Sequence, residues 1–434
     1  MSNSSDKTSP TATSVSANTA PALFVGIDWS DKKHDVCWMA ADGRCGQCVI
    51  EQSPQQIEEL LAKLTKLAGG GVIAVALEKS RGPLQYALMG REGVRLYPLD
   101  PKQVARYRDS FRSSGAKSDS GDAGLLARLL FERHRELPPL RLDDEPTRRL
   151  AHLSQTRRLL VDDSTRLKLQ LQALLKTYFP LALTFGDVDS GLVLELLRRW
   201  PDPRELRRVH PKTLAGFFHE HRVRNEERLQ ELIDRIRQTP LMTTDRPVIE
   251  SLVFRVTVLA SQLRPLLDQI QKIETAIDEA MAAHADAPLF QSLPGAGRAL
   301  APRLLAALGS DRDRYADADE VSVITGIAPV TKQSGHTKIV MRRRACSRFL
   351  KQTFHEFADQ ARKWCPWSKA YYAWQRSKNV KHHAALRKLA SRWIRILFRV
   401  WRSRTPYDPT RYLQRLQQLN HPLLDFLETE TAFA

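Results

Sequence analysis

The sequence has few cysteines and no long hydrophobic run, and each absence excludes a class of protein. Its five cysteines are too few and too scattered for a disulfide scaffold, so we expect a reducing, cytoplasmic location. No apolar segment approaches the roughly 18 residues that a membrane helix needs. Residues 1–21 are rich in Ser, Thr, Asn, Ala and Pro and lack the apolar core of a signal peptide, which predicts a disordered tail.

Acidic residues are almost absent from residues 331–404. This stretch contains 20 Lys and Arg and only two acids, Glu356 and Asp359, so it carries +18 by itself. The other 360 residues contain 47 charges of each sign. A positive field confined to one segment indicates a polyanionic partner, DNA or RNA. A membrane surface would also require an exposed apolar face or a lipidation signal, and we expect no membrane association.

Residues 22–140 show the pattern of an α/β domain. An amphipathic helix beginning at Pro54 separates three short strands from two later ones. The first strand ends at Asp28 and the fourth at Glu78. A meander followed by alternating strands and helices predicts a mixed sheet. The five predicted strands cover residues 23–27, 36–40, 46–50, 72–77 and 94–99.

Residues 141–285 are predicted to be helical and to contain a coiled coil. Leucines recur every seven residues from Leu153 to Leu174, and apolar residues keep a 4-3-4-3 spacing from Leu252 to Ala280. The second pattern predicts a coiled-coil seam, either with the first helix or between protomers. Residues 181–245 form an insertion between the two helices, to which the sequence assigns no role.

Four carboxylates are candidates for a metal site. Asp28 and Glu78 each end an apolar strand, and their side chains converge if the strands are neighbours. Asp119 and Asp122, three residues apart, share one face of a predicted helix. Carboxylate oxygens are the ligands that Mg²⁺ prefers, and phosphoryl transfer benefits from metal ions on the attacking and leaving oxygens. Each acid alone fits a structural role, so the Mg²⁺ site rests on the joint arrangement.

Residues 286–404 form a second candidate domain, followed by a tail at 405–434. Gly295 and Gly297 precede an apolar helix, so their amides are candidates for binding phosphate, although a tight turn between two helices is the more common reason for such glycines. Ser334 lies in a short polar loop beside Gly335 and fits either a turn residue or a nucleophile activated by metals or arginines. Three arginines follow it as candidate ligands for phosphodiesters: Arg342, Arg343 and Arg344.

The basic region ends in an amphipathic helix. Its apolar face includes Trp393 and Trp401, which we therefore assign to the core. Aromatic residues further upstream, including Trp364, Trp367 and Tyr371, are candidates for stacking on bases. The opposite face of the helix predicts a surface that follows phosphates, formed by Lys388, Arg392, Arg395, Arg399 and Arg402.

Taken together, these features resemble the transposases of insertion-sequence family one-ten, over residues 22 to about 404. The order and spacing of the motifs carry the resemblance more than any single motif does. The motifs are Gly26-Ile27-Asp28-Trp29-Ser30, Ala76-Leu77-Glu78-Lys79-Ser80, Lys117-Ser118-Asp119-Ser120-Gly121-Asp122-Ala123, Leu293-Pro294-Gly295-Ala296-Gly297 and Gly326-Ile327-Ala328-Pro329 leading to Gln333-Ser334-Gly335.

The resemblance implies a RuvC-like ribonuclease-H fold in which Asp28, Glu78, Asp119 and Asp122 bind Mg²⁺. It also implies a coiled-coil dimerisation arm and a C-terminal domain whose Ser334 attacks DNA. A guide RNA and a homo-oligomer, dimer or tetramer, are further implications. Two alternatives remain: a RuvC-like resolvase that uses metal-activated water, and a non-catalytic nucleic-acid-binding protein.

Overall fold

The computed structural model describes residues 19–78, 82–110, 119–424 and 426–427, and for Asp119 and Ser120 only the backbone. The chain divides into two compact units, Met1–Leu142 and Asp143–Ala434. Within the described ranges, every helix is too short or too polar to span a bilayer.

The first unit is a five-stranded mixed sheet covered by helices. Its strands are ordered β3-β2-β1-β4-β5. Strands β1 to β3 form an antiparallel meander, and β4 and β5 run parallel to β1. The elements are β1 (Leu23–Trp29), β2 (Lys33–Ala40), β3 (Cys45–Glu51), α1 (Pro54–Leu67), β4 (Ile73–Glu78), α2 (Pro83–Leu88), β5 (Val94–Leu99), α3 (Pro101–Asp109) and α4 (Asp119–Arg133).

The two faces of this sheet bury different cores. Leu23, Val25 and Ile27 alternate along β1 toward the face that also buries the apolar residues of α1. Phe24 points to the other face, where the apolar residues of α4 pack. The mixed α/β sheet predicted from the sequence is confirmed.

The second unit is almost entirely helical. It contains one two-stranded hairpin and a short 3-10 helix, Pro180–Thr184, among the elements that the structure describes. The hairpin strands are β6 (Val330–Ser334) and β7 (Thr337–Met341). The helices are α5 (Glu145–Tyr178), α6 (Gly191–Arg199), α7 (Pro203–Leu206), α8 (Pro211–Glu220), α9 (Glu226–Gln238), α10 (Arg246–Ala282), α11 (Ala287–Gln291), α12 (Gly297–Leu308), α13 (Ala318–Ile324), α14 (Arg348–Trp364), α15 (Pro366–Ser377), α16 (His382–Ser403) and α17 (Pro409–Gln418).

Helices α5 and α10 pack side by side in opposite directions. The Thr147 hydroxyl lies 2.9 Å from His284 Nε2, just beyond the end of α10, and Arg157 Nε donates to Glu274 at 2.9 Å. The predicted seam residues of α10 are buried or half-buried. Helices α6, α8 and α9 form a separate core with the far ends of this pair, so the insertion 181–245 is a small helical subdomain.

The C-terminal core is built from α11 to α16 together with the adjoining ends of α5 and α10, and it extends into residues beyond 404. Trp367, Trp393 and Trp401 are fully buried there. Residues 405–434 were expected to be a tail, but α17 packs on this core. Tyr412 lies 4.2 Å from Trp367 between ring centroids, and Leu416 and Leu423 are buried. Helix α17 has only 10 residues, and Leu416 is its one fully buried residue, so it offers too short an apolar pattern to predict the packing.

Candidate functional site

Asp28 and Glu78 lie at the same end of two neighbouring parallel strands. Ile27 is paired with Leu77 in the register of β1 and β4, so the next residues, Asp28 and Glu78, follow side by side. Both belong to the set of alternate residues that faces α4. Asp28 is half-buried and Glu78 is exposed. The sheet therefore brings the two predicted strand-end carboxylates together.

Helix α4 lies directly on β1 because residue 26 is glycine. A Cβ atom at Gly26 would fall well inside contact distance of the Ala123 carbonyl oxygen and the Ala127 amide. Further along α4, the Phe131 ring packs against Phe24 with centroids 5.2 Å apart. Helix α4 thus runs opposite to β1, and its first turn lies toward the end of the strand that holds Asp28.

That first turn contains the other two predicted carboxylates. Asp122 is 9% exposed, and its Oδ1 lies 2.8 Å from Nη2 of Arg108 on α3. The Arg108 Nε is buried and has no hydrogen-bond partner among the described residues. Asp119 begins α4, and its side chain lies outside the described residues, as do Lys79, Ser80, Lys117 and Ser118 of the sequence motifs.

Asp35 and Arg108 are two residues of this region that were not predicted from the sequence. Asp35 is the cross-strand partner of Asp28 and lies on the same face of the sheet. Two carboxylates directly opposite each other favour a cation beside them. The register of the β1–β2 hairpin is the signal that predicts Asp35. No sequence pattern indicated Arg108, because the helix that holds it, α3, was not predicted.

The carboxylates suit a divalent cation by their chemistry and backbone placement. Every candidate ligand is an oxygen donor, which hard cations such as Mg²⁺ prefer. No three His, Cys, Asp or Glu side chains within the described ranges lie close enough to hold a metal ion. Arg108 pairs with Asp122, so this carboxylate would have to exchange its partner when a cation binds.

Ser334 ends β6 at the tip of an exposed hairpin. It is paired with Thr337 across a two-residue turn formed by Gly335 and His336. Gly335 has φ +55°, which fits the first central position of a type II′ turn. All residues from Thr331 to Met341 are exposed. The hairpin thus places Ser334 at a short, exposed turn, where the sequence predicted a short polar loop.

Two family models of transposases match separate parts of the chain. A model of DEDD transposases of the IS110 group matches residues 25–180, and one described as "Transposase IS116/IS110/IS902 family" matches residues 287–373. A Streptomyces coelicolor protein named as the mini-circle putative transposase for IS117 is 30% identical over 415 residues, covering 91% of this chain and 98% of its own. The chain belongs to the IS110 family of transposases.

Other relatives extend over the same length. The uncharacterized 42 kDa protein of insertion element IS900 from Mycobacterium paratuberculosis is 29% identical over 90% of this chain and 98% of its own. The 43.6 kDa protein of IS110 from Streptomyces coelicolor is 28% identical over 89% and 95%. As a member of this family, the chain is an enzyme that cleaves and rejoins DNA. The resemblance inferred from the motifs is confirmed.

The transposase presents an arginine-rich face on α16. Lys388, Arg395, Arg399 and Arg402 are exposed, and Arg392 is half-buried. Leu389, Trp393, Leu397 and Trp401 are buried on the other side, as predicted. Two acidic residues compensate part of the positive charge of this face. Asp319 lies 3.3 Å from Arg395, and Asp313 lies 3.9 Å from Arg402.

The two glycines before α12 have different surroundings. Gly295 has φ +77°, and a Cβ there would lie 2.9 Å from the Gln360 carbonyl carbon of α14, so tight packing explains this glycine. Gly297 has φ +52° and open space around it. The neighbouring Arg298 pairs with Asp278 of α10. Gly297 is thus the more accessible of the two predicted phosphate ligands.

The predicted stacking aromatics differ in exposure. Trp364 is 72% exposed, but Trp367 and Tyr371 are buried. Trp367 donates its indole N–H to the Tyr407 hydroxyl at 2.8 Å. The prediction that Trp367 stacks on bases is wrong, because its ring is part of the C-terminal core.

Proposed function

We propose that this transposase excises and inserts its own insertion sequence by Mg²⁺-dependent strand exchange with Ser334 as nucleophile. The observation that carries the proposal is the close packing of α4 on β1 at Gly26. This packing directs the first turn of α4 toward the strand ends that hold Asp28 and Glu78. The order of the five strands supports a RuvC-like ribonuclease-H fold for this unit.

Asp28, Glu78, Asp119 and Asp122 are the proposed Mg²⁺ ligands. Bound there, the metal would supply positive charge to the phosphodiester oxygens and lower the energy of the pentavalent transition state. Arg108 would release Asp122 on metal binding and remain beside the carboxylates. Asp35, opposite Asp28, would add to the negative potential that attracts the cation.

Ser334 would attack phosphorus through its Oγ. The Oγ–P bond forms as the bond from phosphorus to one neighbouring deoxyribose oxygen breaks, and that oxygen leaves as a hydroxyl after taking a proton. The serine gives up its own proton during the attack. A hydroxyl of the exchanged strand then displaces Ser334, which regains a proton and is regenerated.

Arginines near the hairpin would bind the strand that is attacked. Arg342 and Arg344 are exposed directly after β7, and Arg343 is half-buried. Guanidinium groups bind phosphodiesters through paired hydrogen bonds. The arginine-rich face of α16, with Gly297 at the start of α12, would hold more of the backbone.

A guide RNA, a homo-oligomer and a cytoplasmic location complete the proposal. The guide RNA and the homo-oligomer come from the family resemblance, and the charge of residues 331–404 supports the RNA partner. The cytoplasmic location rests on the few, scattered cysteines. The two helices α5 and α10 pair within the chain, and their outer surfaces would serve as the dimerisation arm.

The metal-site part is tested with a recombination reporter that joins two plasmids. Asp28→Asn keeps the size of the side chain and removes its charge, so we expect recombination to fall to background. Asp31→Asn is the matched control, since Asp31 is exposed in the β1–β2 turn and lies outside the carboxylate group. If Asp28→Asn recombines at the wild-type rate while purified protein binds DNA normally, the proposed metal site is wrong.

A further inference from the structure

A cavity of about 600 Å³ lies between the base of the β6–β7 hairpin and helices α15 and α16. Val340, Met341 and Arg342 form its hairpin wall. Tyr371 and Trp374 contribute from α15, and α16 contributes a row of basic residues. The volume falls in the range of ligand-binding pockets, roughly 300–1,000 Å³. The same hairpin that presents Ser334 thus forms one side of a pocket.

The lining of the cavity is strongly basic. No carboxylate is among the residues that line it, within the part of the chain that the structure describes. Lys388 donates to Gln375 Oε1 at 2.8 Å, and Arg395 lies near the exposed Asp319. The cationic residues of the lining are Arg342, Arg343, Arg387, Lys388, Arg392 and Arg395.

Arg387 of α16 is one of these cations. It is half-buried, and burial together with the nearby positive charge of Arg342 lowers the pKa of its guanidinium. Neither Arg342 nor Arg387 has an ion pair with a carboxylate among the described residues. Two guanidinium groups that line one cavity without an acidic partner form a site that an anion stabilises.

The remainder of the lining is apolar and aromatic. Ile327, Val340 and Met341 contribute aliphatic surface, and the half-buried Trp374 contributes ring surface beside the buried Tyr371. Val340 and Met341 are exposed to solvent although both are large hydrophobic residues. A pocket that combines exposed apolar surface with unpaired guanidinium groups matches a ligand that has a flat base and a phosphate.

We propose that this cavity receives one unpaired nucleotide of the strand that the C-terminal unit holds. Its phosphates would contact Arg342 and Arg387, and its base would lie against the apolar and aromatic wall. The inference deepens the proposed function and rests on its nucleic-acid part. A paired base is excluded because it is stacked inside the duplex. A protein can enclose a base only in a single strand, or after flipping the base out of a duplex.

A second cavity indicates the path of the neighbouring backbone. It measures about 240 Å³ and shares Arg392 and Arg395 with the first. Arg399, Arg411 and Arg415 also line it, with Asp408 as its one acid among the lining residues that the structure describes. The basic surface therefore continues from the nucleotide pocket along α16 to α17, which suits a strand that extends from the bound nucleotide.

Binding of short oligonucleotides to the full-length protein tests the proposal. The probes are fluorescein-labelled 12-mers of single-stranded DNA, single-stranded RNA of the same sequence, and duplex DNA, all without divalent metal. We expect Arg387→Gln to weaken single-strand binding about tenfold, the loss expected for one charge-assisted hydrogen bond. The matched control is Arg348→Gln, an exposed arginine of α14 outside both cavities.

Further variants distinguish binding in the pocket from a general effect of positive charge on affinity. Arg387→Lys should restore most of the affinity, because it keeps the charge. Trp374→Leu should weaken single-strand binding and leave duplex binding unchanged. Whichever single strand, DNA or RNA, loses more affinity identifies the source of the nucleotide. Thermal melting confirms that each variant is folded.

Equal losses for Arg387→Gln and Arg348→Gln, or equal losses on duplex and single strands, would overturn the proposal. Because binding is measured without metal or turnover, the result does not depend on the catalytic role of Asp28 or Ser334. A failed metal site in the recombination assay and a failed nucleotide pocket are therefore distinguishable outcomes.

Discussion

Gly26 is the residue that sets how closely α4 approaches the sheet. We expect Gly26→Ala to destabilise the protein by about 1–3 kcal/mol or more, because its Cβ meets rigid helix backbone. Gly124→Ala on α4 is the control. Its new Cβ meets only Cys37 Sγ at 3.8 Å, and alanine favours a helix by up to about 1 kcal/mol over glycine. Thermal denaturation measures both; equal stability of the two variants would contradict the packing argument.

Arg108 forms an ion pair with Asp122, one of the proposed Mg²⁺ ligands. Arg108→Gln removes the positive partner of the Asp122 carboxylate, so Mg²⁺ no longer competes with an arginine for it. Added Mg²⁺ should therefore raise the melting temperature more in this variant than in the wild type. Arg106→Gln removes an exposed charge from the same helix and serves as control. A Mg²⁺ response identical in all three proteins would show that Asp122 does not bind the metal.

Residue-scale prediction succeeded where strand ends determine the position of a side chain. Asp28 and Glu78 were predictable, since a parallel pair aligns residues that end apolar runs. Predicting the position of Asp35 requires the register of the β1–β2 hairpin, which pairs Asp35 with Asp28. The Arg108–Asp122 pair joins two helices that are close only in the folded domain, and no local pattern encodes that contact.

The β6–β7 hairpin is the element that presents the proposed nucleophile. Gly335→Val places a β-branched residue at φ +55°, at a cost of roughly 1–2 kcal/mol, so the turn should distort and strand exchange should fall strongly. The melting temperature should change little, because the hairpin is exposed. Gly335→Asn, which tolerates such turns, should retain more activity. Equal activity of both variants would contradict the role of the turn.

At the element scale, the sequence predicted strands and amphipathic helices well. Strand β5 begins and ends where it was predicted, and the buried face of α16 matches its 3.6-residue period. Short elements were missed: α2 and α3 have too few turns for a periodic signal. The 4-3-4-3 spacing of α10 identified its buried seam, and its partner is α5 of the same chain. The coiled-coil dimerisation arm stays a prediction.

The charge of the whole molecule is concentrated in the unit that holds Ser334. Residues 331–404 carry the entire +18 of the chain. The affinity for duplex DNA falls as salt rises, and the slope of log affinity against log salt measures how many phosphates the protein neutralises. Replacing Arg395 and Arg399 by Gln should reduce this slope by about 1 for each phosphate contact that is lost. The control replaces Arg224 and Arg228, two exposed arginines of the charge-balanced region. Equal slopes for both double variants would show that the α16 face does not follow phosphates.

Strand exchange through Ser334 is the central claim for the whole molecule. Its most direct test is to trap the reaction with labelled element-end DNA, separate protein from DNA under denaturing conditions, and map any attached nucleotide by mass spectrometry. We predict a covalent adduct on Ser334 in the wild type, which depends on Mg²⁺, and none in Ser334→Ala, although this variant should still bind DNA. A Ser334→Ala protein that still cleaves and exchanges strands, or cleavage with no adduct at all, would contradict the account.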